Sequence, residues 1–260
     1  MSSQLERTDP LFDEILCITD SKYVLGSWYF IVLPNGRSVQ DWTALCAMTQ
    51  ANYGHARALY RHLSAFGFSR EEAEWHREAK DIRNARILDD PPNSWVDLVV
   101  SSYLVEFAVS LRLKSFADAS PSSTLSRLAH KMHRETSFHL IYLEGWLDVA
   151  SNSLGQQVKS ILEQRLPTVL EWVGVGAPSV ISDTVHVQGY RAEPDSALAT
   201  QFLSRLAATF PKFPPRSDAA ENVAVSTADW RPETRRSGKP GIPVRLHELI
   251  RFKEPGLAVP

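Results

Sequence analysis

Apolar positions recur at intervals of three and four through most of the first 210 residues, the period of helices that bury one face. Residues 11–33 form the first predicted helix, closed by the turn signal Pro34-Asn35-Gly36. Ser38, with Asp41 three residues on, opens a second that runs to about Phe66, before Gly67. The charged stretch SREEAEWHREAKDIRNARILDD holds a short solvated helix, and Pro91-Pro92 then interrupts the chain. Asn93 or Ser94 caps a third long helix over 95–117, Pro121-Ser122-Ser123 starts a fourth that reaches about 150, and a fifth covers 154–173. Residues 174–193 mix β-branched residues and glycines without a period and read as loop with room for a short strand. Asp195 to Phe210 is one more helix. From Pro211 the chain is proline-rich and poor in aromatics, with a basic pair at Arg235-Arg236. That composition predicts a tail that is extended on the body or on a partner, or partly disordered. The expectation is an all-α protein: a helical bundle over 1–173, a post-bundle loop and helix over 174–210, and an extended tail over 211–260.

Several polar residues fall where the pattern calls for apolar ones. The second helix carries Trp42, Leu45, Thr49, Asn52, Ala56, Leu59 and Leu63 on one stripe, with His55 beside it. The fourth carries Leu125, Leu128, Met132, Glu135, His139, Tyr142 and Trp146, so an acid and a histidine take consecutive places in an apolar seam. In the third, Glu106 stands between Val105 and Phe107, with Val99, Tyr103 and Ser110 along its face. Residues three or four apart share a helix face, so Glu135 with His139, and Asn52 with His55, should project together. A lone ionised carboxylate facing inward is costly or shifts its pKa until neutral. A metal ion is the simplest common partner for His55, Glu106, Glu135 and His139. The plainer alternative, histidines hydrogen-bonded in a core, stays open. Tyr103 and Tyr142 line the same interior and either contact a substrate or fill space. His62, His76, His130 and His133 lie among charged residues and are expected in solvent, while His186 and His247 fall outside the bundle.

Composition narrows the partners. With 260 residues, 43% hydrophobic and 22% charged, the chain has the make-up of a globular protein with a sizeable core. A net charge of −2 gives no electrostatic case for nucleic acid or an anionic membrane surface. The start, MSSQLERTDP, lacks the basic-then-apolar pattern of a signal peptide, and no apolar run is long enough to span a bilayer. Cys17 and Cys46 are too few for a disulfide framework or a thiolate zinc site. A cytoplasmic location is expected.

The segments GHARALY (54–60), WVDLVVSSYLVEFAV (95–109) and HRETSFHLIYLEGWL (133–147) resemble the subunits of bacterial phenylacetyl-coenzyme A epoxidase, a multicomponent monooxygenase. The resemblance extends over about 20–210 and includes GAPSVISDTVHVQGYRAEPDSALATQFLSRL, similar to the post-bundle region of the catalytic A-type subunit. It implies a ferritin-like bundle, and for an A-type chain a di-iron centre. Carried over position by position, that ligand set is half present. The second-helix histidine falls on His55, the glutamate before it on Asn52, and the third-helix carboxylate on Glu106. In the fourth helix the family reads Glu-Glu-Ser-Phe-His; its ligating second glutamate falls on Thr136, leaving Glu135 and His139. No acid lies between Asp20 and Asp41 to supply the first-helix glutamate. The separation of Gly26 from Gly54 resembles the first hairpin of the non-catalytic C-type subunit, although His55 is an A-type feature.

Two roles follow from the resemblance. One is an auxiliary, non-catalytic ferritin-like subunit of such a monooxygenase, which acts on an aromatic or acyl-CoA-type substrate. That subunit would hold no iron of its own, work as a homo- or hetero-oligomer with a related ferritin-like subunit, and be served by a reductase. The alternative is an oxygenase with a remodelled site. There His55, His139 and Glu106 form the two-histidine, one-carboxylate triad that binds one iron(II) per chain, and Glu135 is a fourth ligand or orients a histidine. Arg57, Arg61, Arg83 and Arg86 are basic residues for the phosphates of a coenzyme A thioester, or solvated helix charges.

Overall fold

The computed structural model describes residues 6–119, 123–175, 183–214, 229–239 and 241–251. The fold is all-α, as the periodicity predicts, and it divides into two compact units. The first comprises Met1–Pro91, Pro232–Thr234 and Lys239–Pro260, and the second Pro92–Arg231 and Arg235–Gly238.

In the first unit α1 (Pro10–Val32) packs along α2 (Val39–Leu63), and the short α3 (Arg70–Trp75) follows against α2. Asp9 caps α1 by accepting from the Leu11 amide at 2.8 Å, with Pro10 in the first turn. Ser38 caps α2, its Oγ accepting from the Asp41 amide at 3.1 Å and donating to the Asp41 carboxylate at 2.8 Å. α1 is buried along most of its length, polar positions included. Its hydroxyls are satisfied within the helix: Thr19 donates to the Ile15 carbonyl at 2.6 Å and Ser21 to the Cys17 carbonyl at 2.7 Å. The two long helices pack tightly at Gly26, where a Cβ would stand 3.1 Å from the Asn52 Cβ.

Asp20, fully buried on α1, is the polar centre of this unit. Arg77 grips it through two hydrogen bonds of 2.7 and 2.6 Å, the Tyr60 hydroxyl donates at 2.7 Å, and the Arg83 amide donates at 2.7 Å. Four donors around one carboxylate are what permit a charge there.

The second unit is built on α4 (Trp95–Ala119) and α5 (Thr124–Ser153), with α6 (Gly155–Val173) on α4 and α5 and α8 (Asp195–Thr209) on α4 and α6. The short α7 (Thr184–Val187) precedes α8. Residues 176–182, where a short strand had room, lie outside the described residues, as do Pro121 and Ser122 of the expected fourth-helix start. Ser123 caps α5, accepting from the Ser126 amide at 2.9 Å. Asp97 and Arg165, both buried, join α4 to α6 by hydrogen bonds of 3.0 and 2.6 Å.

Two stretches of the tail are regular, the first of them extended chain held on the body. Trp230–Arg231 (β1) pairs antiparallel with Arg236–Ser237 (β2) in the second unit, and α9 (Val244–Ile250) lies in the first. The hairpin is held to the end of α6. Trp230 Nε1 donates to the Glu171 carbonyl at 3.0 Å, Arg235 Nε to the Trp172 carbonyl at 2.7 Å, and the Ser237 amide to the Glu171 carboxylate at 2.6 Å. Trp230 and Arg235 thus reach backbone carbonyls in the last turn of α6, where the helix has no further amides of its own to offer. In the first unit, Gly241 (φ 103°) brings its backbone so near the turn at Ala79 that a Cβ would meet the Ala79 oxygen at 2.6 Å. The Ile242 amide then donates to that same oxygen at 3.0 Å.

Candidate functional site

The buried line of α5 runs through Leu125, Ala129, Met132, Thr136, His139, Leu143 and Leu147. It lies one position round the helix from the seam read in the sequence, and shares with it only Leu125, Met132 and His139. Spacings of three and four alternate along any helix face, and choosing the three where the protein uses the four rotates the line by one residue. Thr136 is accordingly fully buried. Glu135 stands on the flank, 41% exposed, with its carboxylate 3.8 Å from Lys131 one turn earlier.

His139 faces α4. Its Nδ1 lies 2.9 Å from Oε1 of Glu106, and the two side chains are 7% and 0% exposed. An imidazole held this way donates Nδ1–H to the carboxylate and turns Nε2 into the acceptor or ligand nitrogen. One turn further along α4, Ser110 Oγ meets Nδ1 of His133 at 2.9 Å. His133 was expected in solvent; it is half-buried, and burial holds its pKa below the ordinary value against the hydrogen bond with Ser110. His62 is half-buried too, and lowered by burial.

His55 and Asn52 are both buried on α2, in the first unit. Asn52 gives an amide hydrogen to the Met48 carbonyl at 2.9 Å. Glu106 and His139 belong to the second unit. Among the described residues no three His, Cys, Asp or Glu side chains are grouped so as to hold a metal ion. By the family resemblance Asn52 and Thr136 fall where an A-type chain has glutamates, and neither side chain can supply a carboxylate to a pair of irons.

Of the two tyrosines expected against a substrate, Tyr103 is fully buried, its hydroxyl 2.7 Å from Thr209 Oγ1 and donating to Glu144 at 3.3 Å. Thr209 and Glu144 line an open, polar cleft of about 360 Å³ at the end of α8. Tyr142 is turned elsewhere and accepts from Trp146 Nε1 at 3.2 Å. Arg83 is engaged with Asp13 and the Glu233 carbonyl, whereas Arg57 and Arg61 are exposed.

The Glu106–His139 pair predicts a contrast between neighbours on α5. His139→Ala is expected to cost about 1–3 kcal/mol, because it withdraws a hydrogen bond from a buried carboxylate. Glu135→Ala should stay within about 0.5 kcal/mol, as surface replacements do. Urea denaturation of the two variants checks this, and equal losses would contradict it.

Among the described residues no helix is long and apolar enough to cross a membrane. No curated protein matches the chain. The model of the family described as phenylacetic acid catabolic protein matches residues 2–217, which takes in both long helix pairs, α6, α7 and α8. With most of its length covered by that match, the chain belongs to the phenylacetic acid catabolic protein family, and by that membership to the subunits of phenylacetate-catabolic multicomponent oxygenases.

Proposed function

We propose that this chain is an auxiliary ferritin-like subunit of a multicomponent monooxygenase that acts on an aromatic or acyl-CoA-type substrate, and that it works paired with a related catalytic subunit. The observation that carries the reading is the direct 2.9 Å pairing of His139 with Glu106, beside a buried Thr136. In a catalytic relative, carboxylates at these places would be shared between metal ions. Here a carboxylate and an imidazole compensate each other, which supports a structural role for the pair. Asn52 on α2, bonded to its own helix, supports the same reading.

The test is co-expression with a catalytic-type relative, followed by size-exclusion chromatography with light scattering and iron analysis by plasma mass spectrometry. A stable complex is expected, burying on the order of 1,000 Å² or more, with the iron belonging to the partner. A lone 29.2 kDa monomer that retains one iron per chain after anaerobic loading, and turns over substrate unaided, would replace this reading. The role would then be that of a mononuclear oxygenase using His55, Glu106 and His139.

A further inference from the structure

We propose that the first unit carries a binding site for a small organic anion with one flat apolar ring, in a cavity walled by Tyr23, Tyr53 and Tyr60. The cavity measures about 140 Å³, with Ala56 at its wall and Trp75 beside it. A cavity of roughly 150 Å³ in an apolar core accommodates a single benzene ring. All of its walls come from α1, α2, α3 and the end of α9, within one compact unit.

The walls are mostly apolar and include three tyrosines. Tyr23 and Tyr53 stand 5.7 Å apart between centroids, tilted by 46°. Their hydroxyls are already used: Tyr23 donates to the Ile250 carbonyl at 3.4 Å, Tyr53 to Ser27 Oγ at 3.1 Å, and Tyr60 to Asp20 at 2.7 Å. Burial raises the pKa of both Tyr23 and Tyr53, so the phenols are neutral. A flat ring in this space would have tyrosines on its walls, and aromatic pairs attract beyond simple area burial.

The charge at the walls is cationic. Glu74, the acid among them, is held by Arg70 at 2.7 and 3.2 Å. Arg57 is exposed and has no acidic partner among the described residues. Arg251 donates its two terminal nitrogens to the carbonyls of Trp75 and Arg77, at 2.9 and 3.2 Å. Its buried Nε–H has no acceptor among the described residues. Two guanidinium groups without a carboxylate, at the wall of an aromatic cavity, call for an anionic oxygen acceptor on the ligand. A ring bearing a carboxylate meets both requirements, and nothing in the argument depends on the oxygenase role proposed above.

The probe is benzoate, titrated into the full chain by calorimetry and by ligand-observed NMR, with benzyl alcohol and acetate as controls. Benzoate should bind with Kd below about 1 mM, and each control at least about tenfold more weakly. Arg57→Gln, an exposed change that leaves the core intact, should weaken benzoate about tenfold and leave benzyl alcohol unaltered. Ala56→Leu should abolish benzoate binding by filling the cavity; should it fail to fold, Arg57→Gln and the two controls decide. Absence of benzoate binding up to about 10 mM, equal binding of benzyl alcohol, or indifference to Arg57→Gln would each overturn the proposal.

Discussion

Asp20→Ala is expected to cost about 3–5 kcal/mol of stability, the loss seen when one member of a buried ion pair is removed. Arg77 is 6% exposed and would keep its charge in the core without the carboxylate that both its terminal nitrogens now meet. Tyr60 and the Arg83 amide would lose an acceptor at the same stroke. The pair is held in geometry as well as charge: the Arg77 guanidinium also stacks over the Tyr60 and Phe68 rings, 5.3 and 5.8 Å from their centroids. Asp20→Leu combined with Arg77→Met should lose far less than the two single changes added together, since the double variant strands no charge. Urea denaturation of the three variants measures the coupling. A loss under about 1 kcal/mol for Asp20→Ala, or strict additivity, would show that water reaches the cluster and that the pair is worth no more than an exposed one.

The second large effect is expected at Asp195, in the other unit. Its carboxylate accepts from Arg112 at 2.7 Å and from Arg235 at 3.1 and 3.2 Å, with Arg191 3.3 Å away. The three arginine side chains are 1%, 5% and 0% exposed. Asp183 shares the load, bonded to Arg191 at 2.5 Å and to the Asp195 amide at 2.7 Å. Burial alone would raise the Asp195 carboxyl, but Arg112, Arg235 and Arg191 outweigh it and hold the group well below the ordinary value of 3.8. A carboxyl depressed on folding adds stability that is complete above its unfolded pKa and is lost as pH falls through the folded one. The wild type should therefore weaken steeply below about pH 4, and Asp195→Asn should flatten that acid limb. At neutral pH Asp195→Ala should cost about 3–5 kcal/mol. Chemical denaturation at a series of pH values checks both; an acid limb unchanged in Asp195→Asn would assign the weakening to other carboxyls.

The long helices were legible because each carries its own punctuation. Ser38 with Asp41, Pro34-Asn35-Gly36 and Gly67 stop and start helices by local chemistry, and the helices follow them within a few residues. Orientation was less legible. α4 is buried at most positions, so its apolar residues show no preferred side, and the buried face of α5 differs by one residue from the seam its sequence predicts. That single step is what put Glu135 rather than Thr136 into the expected interior. The charged clusters escaped notice because their partners are remote: Asp20 and Arg77 are 57 residues apart, Arg112 and Asp195 are 83. α9 did leave a local sign, since Val244, Leu246, Leu249 and Ile250 follow Pro243 at helical spacing. The prolines around it hid that short period. His139 and Glu106 were placed correctly as interior residues, and their direct pairing needed the packing of α4 on α5 to be seen.

The last turn of α6 is finished by residues that come much later in the chain. Arg235 reaches the Trp172 and Val173 carbonyls across 63 and 62 residues, and Trp230 reaches Glu171 across 59. Synthesis proceeds from the N-terminus, so for some 60 residues of elongation the Trp172 carbonyl waits for Arg235, while the Gly174 and Val175 amides already close the Leu170 and Glu171 carbonyls and Arg112 already reaches that of Val173. Contacts of such sequence separation form late and slow a folding reaction. The second unit thus has a built-in order of assembly, in which the α4–α5 pair can close early and the end of α6 waits for the hairpin. A ribosome stalled before Trp230 would display a helical core already collapsed but open at one end, a state in which proteases would find α6 first.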